Sequence, residues 1–526
     1  MPLTVEQALG QQLLYSFVGK RRPSSELLKA LERQHLGGIV LFRAKNMGSL
    51  AELRGLTAAL QKAAAEAGQP PLLIAADQEG GQLMAIGDGT PFPGNMALGA
   101  TRSETLAYRV GRALGREVAA VGVNVDFAPV CDVNNNPANP VVGTRSFGED
   151  PALVARLGAA LVRGLQSAGV AATAKHFPGH GDTASDSHHA APVIPHGVDR
   201  LLRVELPPFR AAIAAGVRLV MTAHIVLPAL NGGRDWPATL SPAILQGLLR
   251  RRLGFDGLIV TDAMDMNAID QGAGLFVDAM AALTAGADLL ILNHDLSKSS
   301  AAYAALAQAA RRGLLSAGGI RASARRVLGL KRWLAGRKQP PLRVIGCGEH
   351  RALALEVAQE SVTLVRDRAH CLPLRLPRRA RVAVVVPRPE DLTPADTSSY
   401  LVPGLAAAVR RRHPGAEEFI IGMSPSAADV RHLVGTLAAH DLAIVGTINA
   451  APRSGQAALV RGLLGQGTRT IAVALRMPYD VAAYPGVETY ACTYGILPPS
   501  MEALAEALFG RIPFRGTLPV SLDRAR

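Results

Sequence analysis

Cysteine is sparse in this chain, and its four copies, Cys131, Cys347, Cys371 and Cys492, lie far apart. They make neither a C-x-x-C pair nor a disulfide framework, which argues against a stapled secreted scaffold; reduced, buried thiols are expected. Aromatic residues are only 4% of the 526 residues and do not alternate with the basic runs. That leaves no stacking platform for single-stranded nucleic acid, and no fingerprint of a DNA-binding module is present. No uncharged apolar run is long enough to cross a bilayer, so no membrane partner is expected. The opening residues Met1-Pro-Leu-Thr-Val-Glu-Gln7 lack a basic region followed by an apolar one. No signal peptide is therefore expected, and the expected location is the cytoplasm. No G-x-G-x-x-G or phosphate-binding loop follows a strand, and no cofactor is expected.

Apolar residues and arginine are what the chain has in plenty. Hydrophobic residues make up 48%, enough for a large core, and the length calls for two or three domains. The formal charge of +14 is carried mostly by arginine, with clusters at Arg250-Arg251-Arg252, Arg378-Arg379 and Arg410-Arg411-Arg412. Such clusters are read first as solvated helix faces and second as attraction to an anionic partner.

Along the first two-thirds, apolar runs that end in a polar residue alternate with amphipathic helical segments. The runs are Gly38–Phe42, Leu72–Asp77, Val123–Pro129, Ala171–Lys175, Leu219–His224, Leu258–Asp262 and Asp288–Asn293. Continuous apolar strands spaced by helices predict a parallel sheet buried on both faces. About seven or eight units over roughly 330 residues fit a (β/α)8 TIM-type barrel, with a doubly wound open sheet as the alternative. Under the barrel reading Asp77, Lys175, His176, His224 and Asp262 converge on its C-terminal mouth, where such folds collect catalytic groups. The run Leu334-Ala-Gly-Arg-Lys-Gln-Pro-Pro-Leu342 breaks the pattern. The expected layout is a barrel over residues 1–335, a linker over 336–350 and a smaller α/β layered sandwich over 351–526. In the last, Val382–Val386, Leu442–Val445 and Thr470–Leu475 read as buried strands.

The segment Lys175-His-Phe-Pro-Gly-His-Gly-Asp-Thr-Ala-Ser-Asp-Ser-His188 follows directly on one of the strands. His176, His180, His188, Asp182 and Asp186 are metal-ligand types, yet no helical H-E-x-x-H is present and prolyl and glycyl turns break the cluster. No G-x-S-x-G elbow supports a serine hydrolase in the barrel region. A third chemistry pairs a carboxylate nucleophile at a strand end, Asp262, with a separate proton donor, His188, oriented by Asp186. The plain alternative is that Asp186 and His188 only cap a turn.

These residues resemble the signature of family 3 glycoside hydrolases, in the β-N-acetylglucosaminidase branch. Ile74–Gly81, Asn124–Val130, Val142–Gly148 and Val260–Met266 are similar to further family blocks in the expected order, and Pro478–Asp480, Thr493–Gly495 and Gly516–Val520 resemble the family's closing pattern. The two-domain layout resembles the Gram-positive subgroup. The resemblance implies Asp262 as nucleophile, His188 as acid/base and Asp186 as its partner. It implies that Asp77, Arg145, Lys175 and His176 hold the hydroxyls of a terminal N-acetylglucosamine, with no metal. The expected activity is retaining exo-hydrolysis of peptidoglycan fragments in cell-wall recycling, by a monomer acting on a small carbohydrate without nucleic acid. A phosphorylase, a β-glucosidase and a non-catalytic sugar binder are the alternatives. Many cytosolic members have an arginine eight residues after the Asp77 equivalent; here Ala85 stands there, with Gln82 nearby.

Overall fold

The structure is a computed structural model that describes residues 3–185, 191–269, 274–292 and 294–523. Its first half is a closed barrel of eight parallel strands, β1 (Leu13–Tyr15), β2 (Gly38–Leu41), β3 (Leu73–Ala76), β4 (Val125–Asp126), β5 (Ala171–Phe177), β6 (Leu219–Thr222), β7 (Leu258–Ala263) and β8 (Leu289–Ile291). Each strand neighbours the next in sequence, and β1 closes the ring by pairing with both β2 and β8. The apolar runs are continuous because both strand faces are buried. Val40 and Leu14 fill the interior, whereas Leu13, Ile39 and Leu41 pack on the surrounding helices. Val327 and Leu330, from the helix Ala317–Leu334, complete the interior cluster.

Helices start where the sequence offers caps. Ser49 and Glu52 form a reciprocal capping box on Leu50–Glu66, and Asp150 with Pro151 opens Pro151–Ser167. The helix between β6 and β7, Ala243–Arg252, is wound as a wide π-helix.

The second half contains a six-stranded mixed sheet of β9 (Thr363–Asp367), β10 (Val382–Pro387), β11 (Ala416–Ile421), β12 (Leu442–Thr447), β13 (Thr470–Ala474) and β14 (Thr489–Cys492). Their order is β9-β14-β13-β12-β10-β11, with β9 antiparallel to β14 and the rest parallel. Alternate residues of β10 enter two separate cores, Ala383 and Val385 on one face and Val382, Val384 and Val386 on the other. A buried carboxylate ties the halves together: Glu117 Oε1 lies 2.7 Å from His350 Nδ1 and accepts the Gly346 backbone N–H at 3.0 Å.

The basic clusters are engaged in pairs at Arg250, Arg410, Arg411 and Arg412. Arg250 meets the buried Asp288 at 2.5 Å, and Arg411 and Arg412 both meet Glu502. Cys131, Cys347, Cys371 and Cys492 are all unpaired thiols. Among the described residues no helix is long and apolar enough to cross a membrane.

Candidate active site

A cavity of about 640 Å³ opens at the C-terminal ends of the strands. Asp77, Arg145, Lys175, His176 and Asp262 all line it, four of them at or just beyond the ends of β3, β5 and β7 and Arg145 from the loop after β4. Asp186 and His188 lie outside the described residues.

Lys175 is wholly buried, and its ammonium bridges two carboxylates, Asp77 Oδ1 at 2.6 Å and Glu79 Oε1 at 2.7 Å. Glu79 also receives a two-pronged bond from Arg145, Nε at 2.9 Å and Nη2 at 2.8 Å. Burial alone would push the Glu79 carboxyl up. The Arg145 and Lys175 charges outweigh it and hold the group at about 2. Likewise burial opposes the Lys175 charge, but Asp77 and Glu79 raise its pKa above the ordinary value. The four groups therefore form a fixed lattice of two cations and two anions. Within it the Asp77 side chain remains about one-quarter exposed to the cavity.

Beneath them is Asp126, fully buried on β4. Its Oδ1 accepts the Gln78 N–H at 3.0 Å, and burial raises its pKa well above the usual carboxylate range.

The histidines are also pinned. Asp132 accepts the backbone N–H of His176 at 3.1 Å and of His180 at 2.7 Å, and its other oxygen lies 2.8 Å from His176 Nδ1. Despite the burial, the His176 charge holds the Asp132 carboxyl below its ordinary value. His180 Nδ1 bonds Thr183 Oγ1 at 2.7 Å, and burial pushes this imidazole down to about 4, so it is neutral at neutral pH. Asp182 turns to His196 at 2.5 Å. His176, His180 and Asp182 are thus each held by a protein partner. The tight packing needs Gly181, where a Cβ would sit 1.7 Å from the Val133 carbonyl oxygen.

Asp262 sits near the end of β7 with its Oδ1 accepting the Ala263 N–H at 2.8 Å. His224, expected at the mouth, is instead sealed behind it. Its Nδ1 bonds Thr239 Oγ1 at 2.8 Å, and its Nε2 lies 3.0 Å from the Ala263 carbonyl. Being 0% exposed, it cannot reach substrate.

Residues 4–330 match the family model described as the glycosyl hydrolase family 3 N terminal domain. The chain belongs to glycosyl hydrolase family 3. Along its whole length this glycoside hydrolase is similar to a beta-hexosaminidase A from Pseudoalteromonas piscicida, at 32% identity over 99% of this chain and 98% of that one. A solved family 3 beta-N-acetylglucosaminidase from Paenibacillus sp. str. FPU-7 superposes with a TM-score of 0.93 at 40% identity, covering 99% of both chains. A solved beta-glucoside phosphorylase superposes with a TM-score of 0.84 at 26% identity, over 100% of this chain and 95% of that chain.

Three parts of this family 3 site were not picked out from the sequence. Two are Glu79 and Asp132, which do not line the cavity themselves but fix residues that do. The third part is the far wall, which comes from the second domain. Asp391, Thr393, Pro394, Ala395, Asp396, Thr397 and Tyr400 line the cavity opposite the barrel. Arg476 holds this loop by pairing with Asp396 at 2.7 Å and donating to Gln82 Oε1. Thr397 donates N–H and hydroxyl to the Gln82 carbonyl at 2.8 and 2.9 Å. Gln82, noted in the sequence only as a neighbour of Ala85, is thus one of the points where the two domains lock.

Proposed function

We propose that this chain is a retaining exo-β-N-acetylglucosaminidase that releases terminal N-acetylglucosamine from peptidoglycan fragments in the cytoplasm, in cell-wall recycling. The observation that carries the reading is the pairing, in one cavity, of a strand-end carboxylate, Asp262, with a pre-formed grip of Asp77, Lys175, Arg145 and His176. Full-length similarity to proteins described as beta-hexosaminidase and beta-N-acetylglucosaminidase supports the same sugar.

In this reading a carboxylate oxygen of Asp262 attacks the anomeric carbon, and the bond to the leaving oxygen breaks as His188 donates its proton. His188, now neutral, takes a proton from water, and the water oxygen displaces Asp262 from the anomeric carbon. Asp186 orients the imidazole and favours its protonated form. The cation–carboxylate lattice is already rigid, so holding the sugar hydroxyls needs little reorganisation at the moment of reaction. The enzyme acts as a monomer with no metal or cofactor in these steps.

Hydrolysis of an aryl β-N-acetylglucosaminide by the protein and by Asp262→Asn tests the assignment. The variant is expected to lose about 10⁴-fold or more of kcat, and equal turnover by both would sink it. A second reading keeps the site and changes the acceptor from water to phosphate. It is favoured by the similarity to a beta-glucoside phosphorylase, and by the smaller repulsion of phosphate from a neutral histidine than from a carboxylate. Sugar-1-phosphate formed in phosphate buffer would establish it.

A further inference from the structure

Two cations on the cavity wall are not among the four groups assigned to the terminal sugar. Arg43 and Lys45 follow β2 and line the same cavity as Asp262. Both side chains are only partly exposed. Arg43 Nη1 donates to the Met84 carbonyl at 3.3 Å, and its guanidinium stacks 4.1 Å from the ring centre of Tyr400, which belongs to the second-domain loop. The Lys45 ammonium lies 5.1 Å from the ring centre of Phe42. Among the described residues neither cation forms an ion pair. Asp265 and Asp391 also line the cavity, and Asp88 lies close to Arg43, yet none of the three is within pairing distance of either cation. Burial disfavours both charges and lowers the pKa of each group. A partly desolvated cation with unused donors is the setting in which an incoming anion gains most.

The wall between Arg43 and Tyr400 is shared with a second cleft of about 190 Å³, lined also by Lys20, Gly48, Gly87 and Asp88. Glycine at 87 is what lets Arg43 lie there, since a Cβ would sit 2.6 Å from its Nη2. The cavity thus continues outward past a cation held between the two domains.

We propose that Arg43 and Lys45, with Tyr400 of the second domain fixing the pose of Arg43, form an anion-recognition subsite that reads a carboxylate on the aglycone sugar. This rests on the reading of the chain as an N-acetylglucosaminidase and names what lies on the leaving side of the scissile bond. Arg43 supplies a planar fork suited to a carboxylate, and Lys45 supplies a second, compact charge. Tyr400 acts on the substrate only through Arg43 and is a positioning residue. Through this subsite the second domain helps to select the aglycone while the barrel grips the sugar.

The test compares two disaccharides of the same shape, N-acetylglucosamine linked to N-acetylmuramic acid and the same compound with its lactyl carboxylate converted to the carboxamide. The protein is expected to favour the acid over the amide by about tenfold or more in kcat/KM at low salt. In Lys45→Met and in Arg43→Met that ratio falls towards one, and Tyr400→Ala lowers it partway. Equal kcat/KM for acid and amide in the unaltered protein overturns the proposal, as does a ratio that survives both cation variants. Sugar-1-phosphate formation that is lost in Lys45→Met overturns it in favour of an acceptor-phosphate site. An aryl β-N-acetylglucosaminide is run alongside. If it is not cleaved at all, the parent reading fails, whereas cleavage without discrimination between acid and amide fails only the subsite.

Discussion

Replacing Glu79 by glutamine removes one charge from the buried part of the lattice. The side chain is 1% exposed and meets Lys175 at 2.7 Å and Arg145 at 2.8 Å. The amide keeps one acceptor oxygen but turns an N–H2 group towards an arginine that can only donate, and it leaves Lys175 paired with Asp77 alone and Arg145 without its carboxylate. Breaking one partner out of a buried ionic cluster costs about 3–5 kcal/mol. A second route gives a similar size. The Glu79 carboxyl falls from an ordinary 4.5 to about 2 on folding, which at about 1.4 kcal/mol per unit is roughly 3 kcal/mol of stability. A lowered carboxylate pKa contributes fully above the unfolded value and is lost as pH falls through the folded one. Glu79→Gln should therefore be about 3 kcal/mol less stable than the unaltered protein at pH 7, with the gap closing between pH 4.5 and about 2. Urea unfolding followed by circular dichroism across that range measures it. A gap under about 0.5 kcal/mol at pH 7, the size of an ordinary surface substitution, would refute the reasoning. So would a gap that persists unchanged at pH 3.

Asp132→Asn keeps the volume but gives His176 and His180 a weaker backbone acceptor; kcat/KM for an aryl β-N-acetylglucosaminide should fall about 10²-fold, chiefly in KM if His176 grips the sugar. An unchanged KM would show that His176 does not. Lys331 is buried with Gln11 as its hydrogen-bond partner, and burial pushes its ammonium down to about 7. A lysine lowered on folding opposes stability below its folded pKa, and the penalty disappears as pH rises towards 10.5. Lys331→Met should thus raise the melting temperature at pH 6 and have less effect at pH 9, by differential scanning fluorimetry. Arg476→Met, which removes the loop's ion pair at Asp396 and one of its ties to Gln82, should raise KM for disaccharides more than for an aryl glycoside, and equal changes would contradict a wall on the aglycone side.

Barrel and mouth were legible where a strand carries its own ending. The runs closing in Asp77, Lys175 and Asp262 became β3, β5 and β7, and their terminal residues share one cavity. β1 escaped notice because Leu13–Tyr15 is three residues long and starts beside Gln11-Gln12, with no room for a pattern. In the second sheet β11 reads Ala-Glu-Glu-Phe-Ile-Ile, an edge strand whose glutamates hide its apolar face. His224 ends a strand-like run as Asp262 does, but the mouth is crowded there and its ring turns inward to Thr239. Glu79 stood inside a block that was singled out, yet nothing local distinguishes a carboxylate that binds substrate from one that holds an arginine. The loop over residues 391–400 lies more than 300 positions from Asp77, a distance across which a single sequence offers no signal.

The closure of the barrel also has a bearing on how the chain is made. β1 ends its pairing deficit only when Leu13 meets Leu290, on the barrel strand farthest from it in sequence. At about 5–20 residues per second, roughly a quarter of a minute to a minute of synthesis separates the two. Throughout that interval the first strand can pair with β2 on one side and has an open edge on the other, a template for any passing strand. Chaperone capture of nascent chains should accordingly rise after β2 emerges and fall once residue 291 has cleared the ribosome.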